Sequence, residues 1–157
     1  MEFLFCENVG KILVIKKITQ NQLAKESNLS RQTISKISSC SQNIQPSFKL
    51  STCISVAWAL DVNFSSMFSR FDVDESFLRE NKFIDDNYLE IFKNNLESIS
   101  KKRFQKSLSA SPGASESTLS ELLTGKTIDP TLRTLIKISE TVDQPLEKLF
   151  TRGGIKI

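Results

Sequence analysis

The side chains with which this chain could do chemistry are few in kind. None of its 157 residues is histidine, which removes the commonest metal ligand and the one side chain that titrates unperturbed near neutral pH. Its three cysteines, Cys6, Cys40 and Cys53, are an odd number without CxxC spacing. That argues against a disulfide framework and for a reducing compartment, with the thiols as buried apolar filler. Serine, lysine, aspartate and glutamate remain, but in no recognisable nucleophile motif. No catalytic residue, cofactor or metal is therefore assigned, and an enzyme is not expected. The 21 Lys and Arg against 18 Asp and Glu give a net charge of only +3, unevenly spread. Residues 1–70 carry eight cations against four carboxylates, residues 71–90 two against seven, and residues 91–157 eleven against seven. Two basic lobes flank an acidic connector.

The elements that hold these side chains must be small. With 39% hydrophobic and 25% charged residues the composition is that of a soluble globular protein. Each half, at roughly 70–80 residues, is short for a core of its own, which favours a compact all-helical design. The opening MEFLFCENVGKILVIKK lacks a basic leader and a small-residue cleavage site, and no stretch approaches ~18 uninterrupted apolar residues. A cytoplasmic chain with no membrane partner is expected.

An internal repeat is the main signal. QNQLAKESNLSRQTISKI at 20–37 lies over QKSLSASPGASESTLSEL at 105–122 at a constant offset of 85, without a gap. Gln20 meets Gln105, Leu23 meets Leu108, Asn28 meets Gly113, Thr33 meets Thr118, and Ile34/Ile37 meet Leu119/Leu122. Downstream, Ile44-Gln45-Pro46-Ser47 matches Ile128-Asp129-Pro130-Thr131, and Leu60 to Phe68 matches Val142 to Phe150, the first copy holding three extra residues. Upstream, Phe5, Val9 and Ile12 mirror Phe92, Leu96 and Ile99, both spaced i, i+4, i+7 as one apolar helical face requires. Each copy begins with an amphipathic helix.

Caps and breakers place the rest. Thr19 and Ser30 are candidate N-caps for helices over about 20–27 and 31–38. Asn28 and Gly113 between such helices tolerate the left-handed conformation of a tight turn. Leu23, Leu29, Ile34 and Ile37 form the seam of this helix-turn-helix, and small Ala24 and Ser109 permit close approach. Pro46 and Pro130 suit the first turn of a further helix. Leu132, Leu135, Ile138 and Val142 continue at three- and four-residue steps, and a short helix around Pro145 to Phe150 closes the unit.

This layout resembles the Cro and lambda-repressor (xenobiotic-response-element, XRE) helix-turn-helix family: Gln heading helix 2, Leu three later, a small residue, Asn or Gly, a polar N-cap, and paired aliphatics in helix 3. TGKTIDPTLRTLIKISETVDQPLEKLF in the second copy looks like that family's five-helix domain through to its end. The first copy departs from the family in having Ser38 and Cys40 where Glu and Gly are usual, and the family's frequent first-helix Arg is not evident. The resemblance implies an all-α chain of two tandem lambda-repressor-like five-helix domains, 1–70 and 91–157, joined by a partly helical acidic connector, 71–90. It also implies a DNA-binding transcriptional regulator, repressor-like, whose partner is double-stranded DNA. In that family the first turn and outer face of helix 3 enter the major groove, and the head of helix 2 holds phosphates.

Carried over by position, Arg31, Gln32 and Lys36 face bases, with Ser30, Thr33 and Ser35 beside them and Gln20 on the phosphates. Arg and Lys donate to guanine acceptors, and Gln supplies the donor and acceptor pair of adenine. In the second copy the base-facing positions are Glu116, Ser117 and Glu121, with Ser115 and Ser120 flanking and Gln105 heading helix 2. Its carboxylates meet repulsion in a phosphate-lined groove, so it is the weaker reader. The cluster Lys101, Lys102, Arg103 and Lys106 offers phosphate contacts or merely solubility. The phenylalanines and Trp58 are expected in cores. Asp85 and Asp86 are expected to cap the first helix of the second lobe. Two domains on one chain imitate the family's dimer and favour an asymmetric operator. A homodimer would instead read a palindrome with its first lobes. The competing class is a protein-interaction module of antitoxin or anti-repressor type on the same scaffold.

Overall fold

The computed structural model describes residues 2–39, 48–70, 72–102 and 116–155. These are mostly helical: α1 Glu2–Lys16, α2 Gln20–Ser27, α3 Arg31–Ser38, α4 Leu50–Leu60, a 3-10 turn at Ser65–Phe68, α5 Glu75–Glu80, α6 Tyr88–Lys102, α7 Glu116–Leu123, α8 Leu132–Thr141 and α9 Leu146–Leu149. No strand occurs among the described residues, and none of their helices is long and apolar enough to cross a membrane.

Local rules set the boundaries. Thr19 forms a reciprocal cap: its Oγ1 accepts from Gln22 N at 3.2 Å while its own N donates to Gln22 Oε1 at 2.8 Å. Helix α2 stops where Asn28 turns left-handed, at φ 59°. Ser30 Oγ accepts from Thr33 N to start α3, and Gly125, at φ 85°, receives the chain after α7. Pro130 is not in a helical first turn. Thr131 caps α8, and Pro130 lies one residue outside it, with its carbonyl accepting from Leu50 N at 2.9 Å. The predicted aspartate cap is also displaced. Asn87 Oδ1 accepts from Glu90 N and so caps α6, whereas Asp86 binds Arg152 from outside the helix. An amide cap frees the carboxylate for the stronger charged partner.

The apolar faces behave as their spacing requires. Phe5, Val9 and Ile12 of α1 and Phe92, Leu96 and Ile99 of α6 are buried, as are Leu132, Leu135, Ile138 and Val142. Cys6 and Cys53 are buried too, while Cys40 lies outside the described residues. The buried side chains of both halves belong to one continuous cluster. Trp58 departs from expectation: it is 58% exposed, because the inward positions of α4 fall to Cys53, Val56, Ala57 and Leu60. In the connector, α5 begins at the Asp74 cap, and Asn81 fastens it to the first half by accepting from Asn63 N at 2.8 Å and from Ser66 Oγ at 2.9 Å.

The repeat extends to individual hydrogen bonds. Asn8 Nδ2 donates to the carbonyls of Met67 and Ser69 at 2.8 and 3.0 Å. Asn95 Nδ2 donates to the matching carbonyls of Leu149 and Thr151, also at 2.8 and 3.0 Å. Asp61 and Asp143, at equivalent places after α4 and α8, are both left-handed, at φ 55° and 53°. Equivalent residues also meet each other, and here Lys49, not Ser47, stands in the place of Thr131: each is the residue immediately before its helix, α4 or α8, so the extra residues of the first copy all precede Lys49. Lys49 and Thr131 form an antiparallel bridge, in which Leu50 N donates to Pro130 O and Leu132 N to Phe48 O. Phe68 stacks on Phe150 with ring centroids 5.6 Å apart. Reciprocal contacts of this kind are what an approximate two-fold relation between two halves produces.

Candidate nucleic-acid interface

The capped turn between α2 and α3 decides which side chains of α3 face outward. Ile34 and Ile37 are fully buried and Leu29 is half-buried, so the helix is anchored on that side. Arg31, Gln32, Ser35 and Lys36 consequently project into solvent, with Ser30 at the leading end. Gln20, at the first position of α2, is half-buried.

These residues divide by what they hold. Ser30 and Thr33 are engaged with each other: the Ser30 cap accepts from Thr33 N at 3.1 Å, and the two hydroxyls lie 2.8 Å apart. Their first task is to order the helix start. Arg31 Nη1 donates to Asn21 Oδ1 at 2.7 Å, which ties the start of α3 to the first turn of α2 and holds the guanidinium over the junction. Asn21 thereby joins the site. It was not singled out from the sequence because its partner is ten residues away, beyond the reach of helical spacing. The side chains of Gln32, Ser35 and Lys36 make no hydrogen bond or ion pair with another described residue and remain available. Across residues 19–39 the cations Lys25, Arg31 and Lys36 face one carboxylate, Glu26. Helices α2 and α3 both have acid-free first turns. Their leading amide groups and partial positive ends add to the attraction for an anion.

Comparisons of the chain with family models, with curated proteins and with solved structures return no match.

Helix α7 repeats the register of α3 with another charge. Leu119 and Leu122 are buried where Ile34 and Ile37 are, Thr118 is half-buried like Thr33, and Ser120 and Glu121 face outward like Ser35 and Lys36. Glu116 opens α7 at the position where Arg31 opens α3. Ser117 follows it within the helix, while Gln105, Ser115, Arg103 and Lys106 lie outside the described residues, as do Leu108, Ser109 and Gly113.

A second surface lies away from α3. A groove of about 880 Å³ runs between α4, the end of the connector and the segment before α8, lined by Leu50, Ile54, Leu89 and Ile128 with Asp85 and Asp129 at its edge. Two of its carboxylates, Asp129 and Asp86, are structurally engaged. Asp129 accepts from Ser51 N and Oγ at 3.0 and 2.6 Å, and Asp86 accepts from Arg152 Nε at 2.7 Å. The Arg152 hydrogen bond holds the Asp86 carboxyl below its usual range. Among the described residues, no group of His, Cys, Asp or Glu could hold a metal ion.

Proposed function

We propose that this chain is a sequence-specific DNA-binding transcriptional regulator of the Cro/lambda-repressor (XRE) type, repressor-like, which places α3 in the major groove of double-stranded DNA. In this reading residues 1–70 and 91–157 are two tandem five-helix units, the connector 71–90 fastens them, and the protein works in the cytoplasm. The observation that carries the proposal is the outward ridge of α3: Gln32, Ser35 and Lys36 exposed and unengaged, and Arg31 pre-placed by Asn21, on a helix whose inner face is anchored by Ile34 and Ile37. A preset helix loses less side-chain freedom on docking than a mobile one. Arg31 and Lys36 would donate to guanine acceptors, Gln32 would read adenine, and Gln20 with the amide groups opening α2 and α3 would hold phosphates.

A protein-interaction module is the second reading, and one observation favours it. Trp58, 58% exposed, and Ile128, 82% exposed, lie at the grooves on either side of Ile54 and Asp85, an apolar surface that DNA would not use. Anisotropy titrations of the full chain on duplexes selected from a random library separate the two. Under the first reading a motif emerges, and Arg31→Ala or Lys36→Ala each weakens specific binding by ~1–3 kcal/mol. Uniform, salt-sensitive affinity for all duplexes would rule sequence reading out.

A further inference from the structure

Two helices at matching places in the repeat carry opposite charges at one equivalent outward position, in halves joined by reciprocal contacts. Lys36 and Glu121 occupy the same exposed place, each between an outward serine and an inward aliphatic residue, and Arg31 and Glu116 each open their helix. From this, resting on the DNA-binding reading above, we infer that the chain reads a single half-site with α3, and that Glu116 and Glu121 are specificity-determining residues that keep α7 out of the duplex.

Symmetry and charge oppose each other here. The Lys49–Thr131 bridge and the Phe68–Phe150 stack join the halves through matching residues, as a two-fold relation requires, and two-fold symmetry is what lets paired helix-turn-helix units read two half-sites. Symmetry alone would then make both helices readers. Each phosphate that a cation neutralises releases condensed counterions and strengthens binding, whereas a carboxylate brought to the same place is repelled by the phosphates and releases none. Glu does have one base partner, the cytosine amino group. That contact requires the helix to enter first, past the phosphates on both sides of the groove. The second half thus keeps the inward packing of the first, Leu119 and Leu122 for Ile34 and Ile37, and lacks the outward charge that docking needs. Its retained task is to close the shared core.

The test uses the full chain and a random-sequence duplex library. Wild type is expected to select a motif confined to one half-site, with no repeat related to it by two-fold symmetry, and to protect only that half in a hydroxyl-radical footprint. The double variant E116R/E121K is expected to extend protection by about one helical turn. Its log–log salt dependence should steepen by about 0.9 for each additional phosphate neutralised. E121Q, which removes charge without adding any, is expected to raise affinity for the same duplex without lengthening the footprint. Circular dichroism melting checks that the variants fold, and the wild-type motif and footprint decide the matter without them. A two-half motif selected by the wild-type chain, or base contacts mapped to α7, would overturn this inference and leave the DNA-binding reading standing. Retention of all duplexes without any motif would overturn both.

Discussion

Replacing Asn8 or Asn95 by alanine tests how the two halves depend on each other. Both amides are buried, 2% and 5% exposed, and each holds two carbonyls closely at the end of its own half, Met67 and Ser69 for Asn8 and Leu149 and Thr151 for Asn95, with a longer bond of 3.3 Å from Asn95 to Lys148 O. Truncation leaves those acceptors without their donor in buried or half-buried surroundings, at about 1–3 kcal/mol for each unsatisfied group. Taking the lower half of that range for carbonyls with a second lone pair, each variant should lose about 2–4 kcal/mol, a large share of the ~5–15 kcal/mol of a typical domain. For a chain of this size that is a fall in melting temperature of about 6–12 °C. Because the buried residues form one continuous cluster through Phe68 and Phe150, Asn8→Ala and Asn95→Ala should displace the same single calorimetric transition by similar amounts. Two resolved transitions, with each variant moving only one, would refute the argument that the halves share a core.

Other consequences are equally open to measurement. Phe68→Ala removes a ring packed against Phe5, Phe64 and Phe150 and should cost ~3–5 kcal/mol in urea unfolding. The Arg152 hydrogen bond lowers the Asp86 pKa in the folded state, so its contribution is complete above the unfolded value of about 3.9 and is lost as pH falls through the folded one. Asp86→Asn should therefore flatten the acid limb of the stability profile and leave the neutral to alkaline part parallel to wild type. Burial drives the Cys53 thiol far above the usual range, so iodoacetamide at pH 8 should leave it unmodified in the native chain and alkylate it in denaturant, as read by mass spectrometry.

Elements governed by local rules were legible in the sequence. Thr19, Asn28 and Ser30 fix the ends of α2 and α3 through bonds to neighbours within a few residues, and the three- and four-residue aliphatic steps name the buried faces. What stayed hidden depends on partners distant in the chain. Arg31 finds Asn21, Asp86 finds Arg152, and Pro130 gives its carbonyl to Leu50 in place of opening a helix. Trp58 stayed outside because smaller residues on its own helix already fill the inward positions. The Asn8 and Asn95 pair did carry a readable signal: a polar residue recurring inside an apolar helical face at the same offset that aligns Phe5 with Phe92. Composition and periodicity treat such a residue as noise, and only the repeat marks it.

The Lys49–Thr131 bridge has a thermodynamic consequence that separate subunits would not share. Partners held in one backbone meet at an effective concentration set by the linking segment, so diluting the sample does not part them. Melting temperature should thus be invariant from nanomolar to micromolar protein. If each half were instead to find its mate on another molecule, that invariance would be lost.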